Sequence, residues 1–278
     1  MIRLLALDID GTLLRSDKTI SSRTLEAIAR ARALGVRLVL VTGRRYPSAR
    51  RVAEELGGVV PLVLHNGALV VEDGAVLRCR PLARAAARTA IAVGRAAGAE
   101  PVLHCGANGE GRLIVSADAR RSGLVGYYLE RSGGEVQVRS PLESVLDAEE
   151  PIQVMFGGTR AEMDALIVPL SERLGAQARI ERTVYPATDL VLLDVIDPAV
   201  GKAEALDFLR SRWGVAARET LAIGDNWNDR DMVARAGIGF VMANADPELL
   251  ALGMPVLPSN DEDGVALAIE EYVLKRAS

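Results

Sequence analysis

A chain of 278 residues is long enough for one large or two ordinary domains, and 49% hydrophobic residues give it a core to bury, which excludes a disordered chain. A formal net charge of −4, with the arginines scattered rather than clustered, argues against a general nucleic-acid or membrane-surface binder. Two cysteines, Cys79 and Cys105, lack metal-ligand spacing and read as ordinary thiols of a reducing cytoplasm. No signal peptide is expected, because the sequence goes straight into a strand, and no transmembrane helix, because the apolar runs are short and interrupted by charges.

In chain order, RLLALDI (residues 3–9) reads as a buried strand that ends on Asp8 and Asp10. TISSRTLEAIARARALG (19–35) reads as a helix with Ser21 or Ser22 as N-cap, an apolar face of Leu25, Ile28 and Ala29, and Gly35 as its stop. VRLVLVTG (36–43) is a second continuous apolar strand, 46–56 a second helix and PLVLHNGA (61–68) a third strand. Apolar runs without alternation, separated by helices, predict a parallel sheet covered on both faces. GALVVEDGAVLRC (67–79) follows as a hairpin turning at Asp73-Gly74.

The pattern then changes. From residue 82 to about 195 the expectation is a helix, strands at 101–105 and 113–116, a second helix, a strand at 135–138 and a short helical piece near Pro141. A strand at 152–156, a helix at 160–174 and strands at 177–183 and 189–195 complete it. Paired strands with helices to one side make this an α+β domain. The tail returns to the first pattern: a helix from Lys202, the strand TLAIGD (220–225), a helix at 229–236, the strand GIGFVMA (237–243), a short helix at 246–252 and EDGVALAIEEYVLKRA (262–277). The predicted fold is therefore α/β, a Rossmann-like parallel-sheet core formed by 1–81 and 196–278, split by an inserted α+β domain at 82–195.

Ligands of a parallel α/β sheet bind beyond the carboxyl ends of its strands. There the sequence places Asp8 and Asp10, then Thr42, Gly43 and Arg44, then Asp225, Asn228 and Asp229, with Lys202 opening a helix. Each has an ordinary reading alone: a helix cap, a turn or a solvated charge. Together they make one rim of clustered carboxylates, and a divalent cation is the simplest way to keep such a cluster ionised. Mg²⁺ suits best, since it takes one or two carboxylates, waters and a phosphate. His65 and His104 are too few for a zinc site. The glycine turns at 105–111 and 155–159 lack the spacing of phosphate loops.

DIDGTLL (8–14), VTGR (41–44), GK (201–202) and GDNWNDRDM (224–232) resemble, in order and spacing, the four motifs of the haloacid dehalogenase (HAD) superfamily. NGA at 66–68, VMANA at 241–245, NDEDGVALAI at 260–269 and the position of the insert are similar to the Cof-type phosphatases, class IIB, whose cap is called C2B. Gly201 stands where that family often has Ser, and Trp227 where small residues are common.

The resemblance implies that Asp8 is the nucleophile forming an aspartyl-phosphate and Asp10 the general acid, then base. Mg²⁺ would lie on the Asp8 carboxylate, the Asp10 carbonyl and Asp225, with Asp229 nearby. Thr42, Gly43, Lys202 and Asn228 would serve the phosphate, while Arg44 and Asn66 would touch substrate. It implies a cytoplasmic, Mg²⁺-dependent phosphomonoesterase for small phosphorylated metabolites, sugar phosphates first, with no nucleic-acid or membrane partner and an oligomeric state left open. The cap would choose the substrate, with His104, Arg182, Tyr185 and Asp189 as candidates to reach inward. The competing readings are a phosphomutase of the same superfamily, a receiver-type signalling module, which would carry no such insert, and a non-catalytic phosphate-binding protein on this fold.

Overall fold

The computed structural model describes residues 1–118, 123–131, 136–185 and 188–275, without the side chains of 123, 124, 127 and 131. Its elements run β1 (Leu4–Leu7), α1 (Ser22–Ala33), β2 (Arg37–Val41), α2 (Tyr46–Glu55), β3 (Leu62–Leu64), β4 (Leu69–Glu72) and β5 (Ala75–Cys79). Then come α3 (Arg84–Ala96), β6 (Val102–Cys105), β7 (Arg112–Val115), α4 (Gly123–Arg131), β8 (Val136–Val138), α5 (Val145–Ala148), β9 (Gln153–Gly158), α6 (Arg160–Leu174), β10 (Arg179–Tyr185) and β11 (Leu190–Ile196). The chain continues through α7 (Lys202–Trp213), β12 (Thr220–Gly224), α8 (Arg230–Arg235), β13 (Ile238–Met242), α9 (Pro247–Leu250), β14 (Val256–Leu257) and α10 (Gly264–Ile269).

Two compact units emerge, one formed by residues 1–43, 49–75 and 201–278, the other by 44–48 and 76–200. The first is organised by an eight-stranded sheet in the order β14-β13-β12-β1-β2-β3-β4-β5. From β14 to β3 neighbouring strands are parallel, and β4 runs antiparallel to β3. β1 and β12 are buried along their whole length, as their unbroken apolar runs require. Leu7 pairs with both Leu40 and Ile223, so β1, β2 and β12 end level at one rim. β1 is also where the chain switches direction across the sheet, since β2 and β3 lie on one side of it and β12 to β14 on the other. Ligands of open α/β sheets bind at such a point.

Local chemistry sets the helices. Ser21 caps α1 by accepting from the Thr24 N–H, and Thr24, Ala27, Ile28 and Ala31 form its buried stripe. Its expected stop, Gly35, has φ +83°. Thr159 and Glu162 close a reciprocal capping box at the start of α6. Asp73 and Gly74 take φ +53° and +77° in the expected hairpin turn.

The second unit holds a six-stranded sheet, β10-β11-β9-β6-β7-β8. Its helices are not confined to one side, as the sequence suggested. Alternating residues feed two apolar layers. Leu103, Val154, Phe156 and Leu193 pack with residues of α3, α5 and α6, while Val102, Met155, Leu190 and Leu192 pack with Val125 and Leu129 of α4. The strands lie close to their expected places with ends displaced by a residue or two. The predicted helix at 229–236 is a short 3₁₀ turn, Trp227–Asp229, followed by α8. The closing helix passes from α10 into a π-helical segment, Glu270–Leu274. Glu135, the expected start of β8, and residues 276–277 lie outside the described residues.

One packing contact in the second unit is tight enough to test. A Cβ on Gly94 of α3 would lie 2.1 Å from the ring of Phe156, a fully buried side chain. Alanine is the better helix former by about 1 kcal/mol, but overpacking a core costs about 1–3 kcal/mol. Gly94→Ala is therefore expected to lower the melting temperature despite the gain in helix propensity. A thermal melt that stays level or rises would refute this packing.

Candidate functional site

The level ends of β1, β2 and β12 bring the motif residues to one rim. Asp8 follows β1 directly, its N–H donating to the Ile223 carbonyl at 3.1 Å. Asp225 follows β12, and Lys202 is the first residue of α7. Lys202 Nζ donates to Asp8 Oδ1 and to Asp229 Oδ1, both at 2.6 Å. Carboxylate oxygens of Asp8, Asp225 and Asp229 lie within 4.8 Å of one another, and all four side chains are buried.

The electrostatics follow from burial. Desolvation raises the Asp8 carboxyl to about 7, with the Asp229 charge adding to it and Lys202 opposing it. Asp225 is pushed well above its ordinary value, first by burial and then by the Asp8 and Asp229 charges. Burial alone would pull the Lys202 ammonium down, but Asp229 and Asp8 outweigh it and hold the group above its ordinary value. Three acids around one ammonium leave an excess of buried negative charge. Grouped carboxylate oxygens of this kind can hold a cation.

The donor set fits Mg²⁺: every candidate ligand is a hard carboxylate oxygen. Asp229 is the most committed of the three. Besides Lys202, it accepts the Asp225 and Asn226 backbone N–H groups on Oδ2, each at 3.1 Å. It therefore orients Lys202 and shapes the Asp225 loop. Asp225 Oδ1 accepts from the Thr12 hydroxyl at 2.8 Å.

Three glycines allow these approaches. A Cβ on Gly11 would fall 2.2 Å from Asp225 Oδ2, and one on Gly224 would fall 2.4 Å from the Asp229 side chain. The turn at His65, Asn66 and Gly67 has three consecutive positive φ values, +50°, +55° and +108°, and a Cβ on Gly67 would lie 2.2 Å from the Gly201 carbonyl oxygen. The turn thus packs directly on the residue before Lys202. Left-handed backbone at a histidine and an asparagine is a strain kept where the surrounding structure dictates it.

The phosphate candidates separate. Thr42 is buried; its N–H donates to Val63 and its carbonyl accepts from Asn66 N–H at 3.1 Å. Asn66 Oδ1 accepts from Asn228 Nδ2 at 2.9 Å and lies 3.0 Å from where a Cβ of Gly43 would sit. So Thr42, Gly43, Asn66 and Asn228 gather together. Asp10 is only partly buried and meets Lys18 Nζ at 3.3 Å. Arg44 is half-buried and clusters with the second unit.

Of the residues considered for substrate contact in the inserted domain, His104 is buried in β6. Arg182 pairs with Asp164 at 3.6 Å, Tyr185 packs against the apolar layer of α4, and Asp189 is an exposed turn residue with φ +50°. Trp227 carries the Arg230 guanidinium 4.8 Å above its ring.

Sequence reasoning passed over Thr12, Lys18, Asn244 and Asn260. Asn244 Nδ2 donates to the Gly11 carbonyl at 2.7 Å, Asn260 N–H to Asn244 Oδ1 at 3.0 Å and Asn260 Nδ2 to the Leu14 carbonyl at 2.8 Å. The two asparagines fasten the DIDGTLL loop, and they stand inside VMANA and NDEDGVALAI, segments the sequence had marked without a role. Among the described helices, none is long and apolar enough to cross a membrane.

A sequence model of the haloacid dehalogenase-like hydrolases matches residues 5–269. The chain belongs to that family. The expected membership is borne out, and with it the enzyme class of phosphoric monoester hydrolase. The chain is 28% identical to the 5-amino-6-(5-phospho-D-ribitylamino)uracil phosphatase YbjI of Escherichia coli K12, over 99% of this chain and 97% of that protein. It is 30% identical to an HMP-PP phosphatase of Klebsiella pneumoniae, over 90% and 88%. Among solved structures it is similar to BT4131, described as a HAD subclass IIB sugar phosphatase, with a TM-score of 0.78, 21% identity and 97% and 98% of the two chains covered. That likeness establishes the fold.

If the acidic cluster holds Mg²⁺, the ion will stabilise the folded chain by mass action, about 2.7 kcal/mol at one hundred times the dissociation constant. Titrating Mg²⁺ into metal-free protein should raise its melting temperature, and Asp225→Asn should remove most of the rise. Equal shifts in the two proteins would place the ion elsewhere.

Proposed function

We propose that this hydrolase removes phosphate from small phosphorylated metabolites, sugar and polyol phosphates first among them, through an aspartyl-phosphate on Asp8 with Mg²⁺ as cofactor. The observation that carries the reading is the buried Lys202 ammonium 2.6 Å from both Asp8 and Asp229. An ordinary structural ion pair does not need three buried acids around one lysine. A carboxylate that must meet a phosphate dianion does need positive charge on both.

An attacking carboxylate and a phosphate repel by roughly 4 kcal/mol per charge pair at about 4 Å and an effective dielectric near 20. Asp8 and Asp225, with the Asp10 carbonyl, would hold Mg²⁺, which would supply part of the charge that offsets this repulsion. Lys202 supplies the rest and fixes the Asp8 carboxylate for attack, while Asp229 holds Lys202 in place. Asp8 forms its bond to phosphorus as the ester P–O bond breaks, and Asp10 gives its proton to the departing oxygen. Asp10 then takes a proton from water, which attacks the aspartyl-phosphate, releases inorganic phosphate and restores Asp8. Thr42, the Gly43 N–H and Asn228 serve the phosphoryl oxygens, and Asn66 and Arg44 the substrate. In the same reading residues 1–81 and 196–278 carry the chemistry, and residues 82–195 form a C2B-type cap that selects the leaving group.

The substrate class rests on the relatives: one is named for a phosphoribityl compound and one solved neighbour is described as a sugar phosphatase. A panel of phosphorylated metabolites scored for released phosphate tests it, and a ranking without sugar or polyol phosphates near the top would remove that part. Transfer of the group to a second hydroxyl, with no phosphate released, would instead indicate a phosphomutase.

For the chemistry, Asp8→Asn is expected to abolish hydrolysis of p-nitrophenyl phosphate while leaving the melting temperature near that of the parent; retained turnover would refute the nucleophile. Asp10→Asn should slow both formation of the phosphoenzyme from phenyl phosphate, whose leaving group needs a proton, and its breakdown in single-turnover experiments, by about 10²-fold or more. EDTA should silence the enzyme and added Mg²⁺ restore it, and activity indifferent to chelation would rule out the cation.

A further inference from the structure

Residues 15–19 form a tight turn just beyond the DIDGTLL loop. Arg15 N–H donates to the Thr19 carbonyl and Lys18 N–H to the Arg15 carbonyl, each at 2.9 Å. Asp17 Oδ1 closes the turn from inside, accepting the Thr19 N–H at 2.9 Å and its hydroxyl at 2.6 Å. From outside, Ser16 donates its N–H and hydroxyl to the Asp261 carboxylate at 2.9 and 2.6 Å, and the Arg15 guanidinium donates to the Asp261 carbonyl at 3.1 Å. The turn is pinned on both sides.

Within it Lys18 has φ +69°. Glycine, asparagine or aspartate would suit that backbone, and for another residue it costs about 1–2 kcal/mol. The lysine points its ammonium back at Asp10, 3.3 Å from Oδ1. Its side chain is 65% exposed and that of Asp10 is 24% exposed. An ion pair this open contributes about 0–1 kcal/mol, no more than the backbone strain takes away. Stability therefore does not account for a lysine at this position. The pinned turn does fix the place from which the Lys18 ammonium meets the Asp10 carboxyl group.

We propose that Lys18 is a positioning residue for Asp10. Its ammonium holds Oδ1 so that the carboxyl group faces the ester oxygen in the first half-reaction and the attacking water in the second. Lys18 itself exchanges no proton: the proton leaves Asp10 for the ester oxygen as the P–O bond breaks and returns from water as the Asp8–phosphorus bond breaks. This rests on the reading of Asp8 and Asp10 given above.

The variants K18G, K18N and K18R separate backbone from side chain. Glycine and asparagine accept the left-handed backbone, so both should fold, with a melting temperature equal to or above that of the parent. The readout is the rate of enzyme phosphorylation on two esters of similar shape: phenyl phosphate, whose leaving group needs a proton, and p-nitrophenyl phosphate, whose leaving group needs one far less. In K18G and K18N the rate on phenyl phosphate should fall about tenfold or more, the rate on p-nitrophenyl phosphate much less, with KM little changed. K18R should recover most of the loss, and K18G should add nothing in a D10N background. Equal falls on both esters, a change confined to KM, no change, failure of K18R to rescue, or a further loss in D10N would each overturn the proposal. If the parent hydrolyses neither ester, or D8N stays active, the phosphatase reading falls and this inference with it. If D8N is dead while K18G matches the parent on both esters, only the inference falls.

Discussion

The site depends on one ammonium group. Lys202 is almost fully buried and shared between Asp8 and Asp229 at equal distance, with Asp225 close behind. Removing charges from water costs several kcal/mol per ion, and a buried pair repays that only with good geometry and further hydrogen bonds. Here the geometry is good for Asp229, which also accepts two backbone N–H groups, and poorer for Asp225, whose described side-chain bond is to Thr12. Burial and neighbouring acids accordingly push both Asp8 and Asp225 toward their protonated forms. A sequence selected for stability alone would place apolar residues at this rim. On the proposed function the cluster has a reason to be there, since a cation would complete it.

Around that ammonium the backbone is arranged by close approach. Gly11 admits Asp225 and Gly67 admits the Gly201 carbonyl, both partners far away in sequence, while Gly224 admits Asp229 within its own loop. These motif residues are best understood as pairs across the sheet rim rather than as separate signatures. The register that levels β1, β2 and β12 is what makes the pairs possible. A slip of one residue in β1 would move Asp8 away from Lys202 and turn its apolar side chains to the other face.

How much of this could be read beforehand follows the same logic. The strand runs of the first unit are legible because strands buried on both faces carry no alternation, and Ser21 and Gly35 bound α1 by capping chemistry. Asp8, Asp225, Asp229 and Lys202 are legible as a group because acids ending apolar strands need a reason to be there. Two apolar layers in the second unit were not: residues on both faces of β6, β9 and β11 are apolar, so the sequence does not reveal that α4 covers the face opposite α3 and α6. Asn244 and Asn260 escaped because their work is to bond backbone carbonyls at Gly11 and Leu14, and a carbonyl leaves no mark in a sequence. Lys18 escaped because a left-handed φ at a lysine contradicts local preference, and only the surrounding bonds to Asp17 and Asp261 impose it.

The acidic cluster is tied together by bonds among residues of the first unit. Asp8, Asp229, Asp225, Thr12 and Lys202 answer one another, and Asn66 answers Asn228. The acidic cluster depends on the register of β1 and β12, while the second unit is organised by its own two apolar layers. Relatives at 28% and 30% identity, named for a phosphoribitylaminouracil compound and for HMP-PP, differ in the molecule they are named for while matching this chain over nine-tenths of its length or more. Such divergence is what the arrangement permits. Side chains that set electrostatics must stay in register with the sheet, while residues outside that network are free to vary so long as their layers still pack.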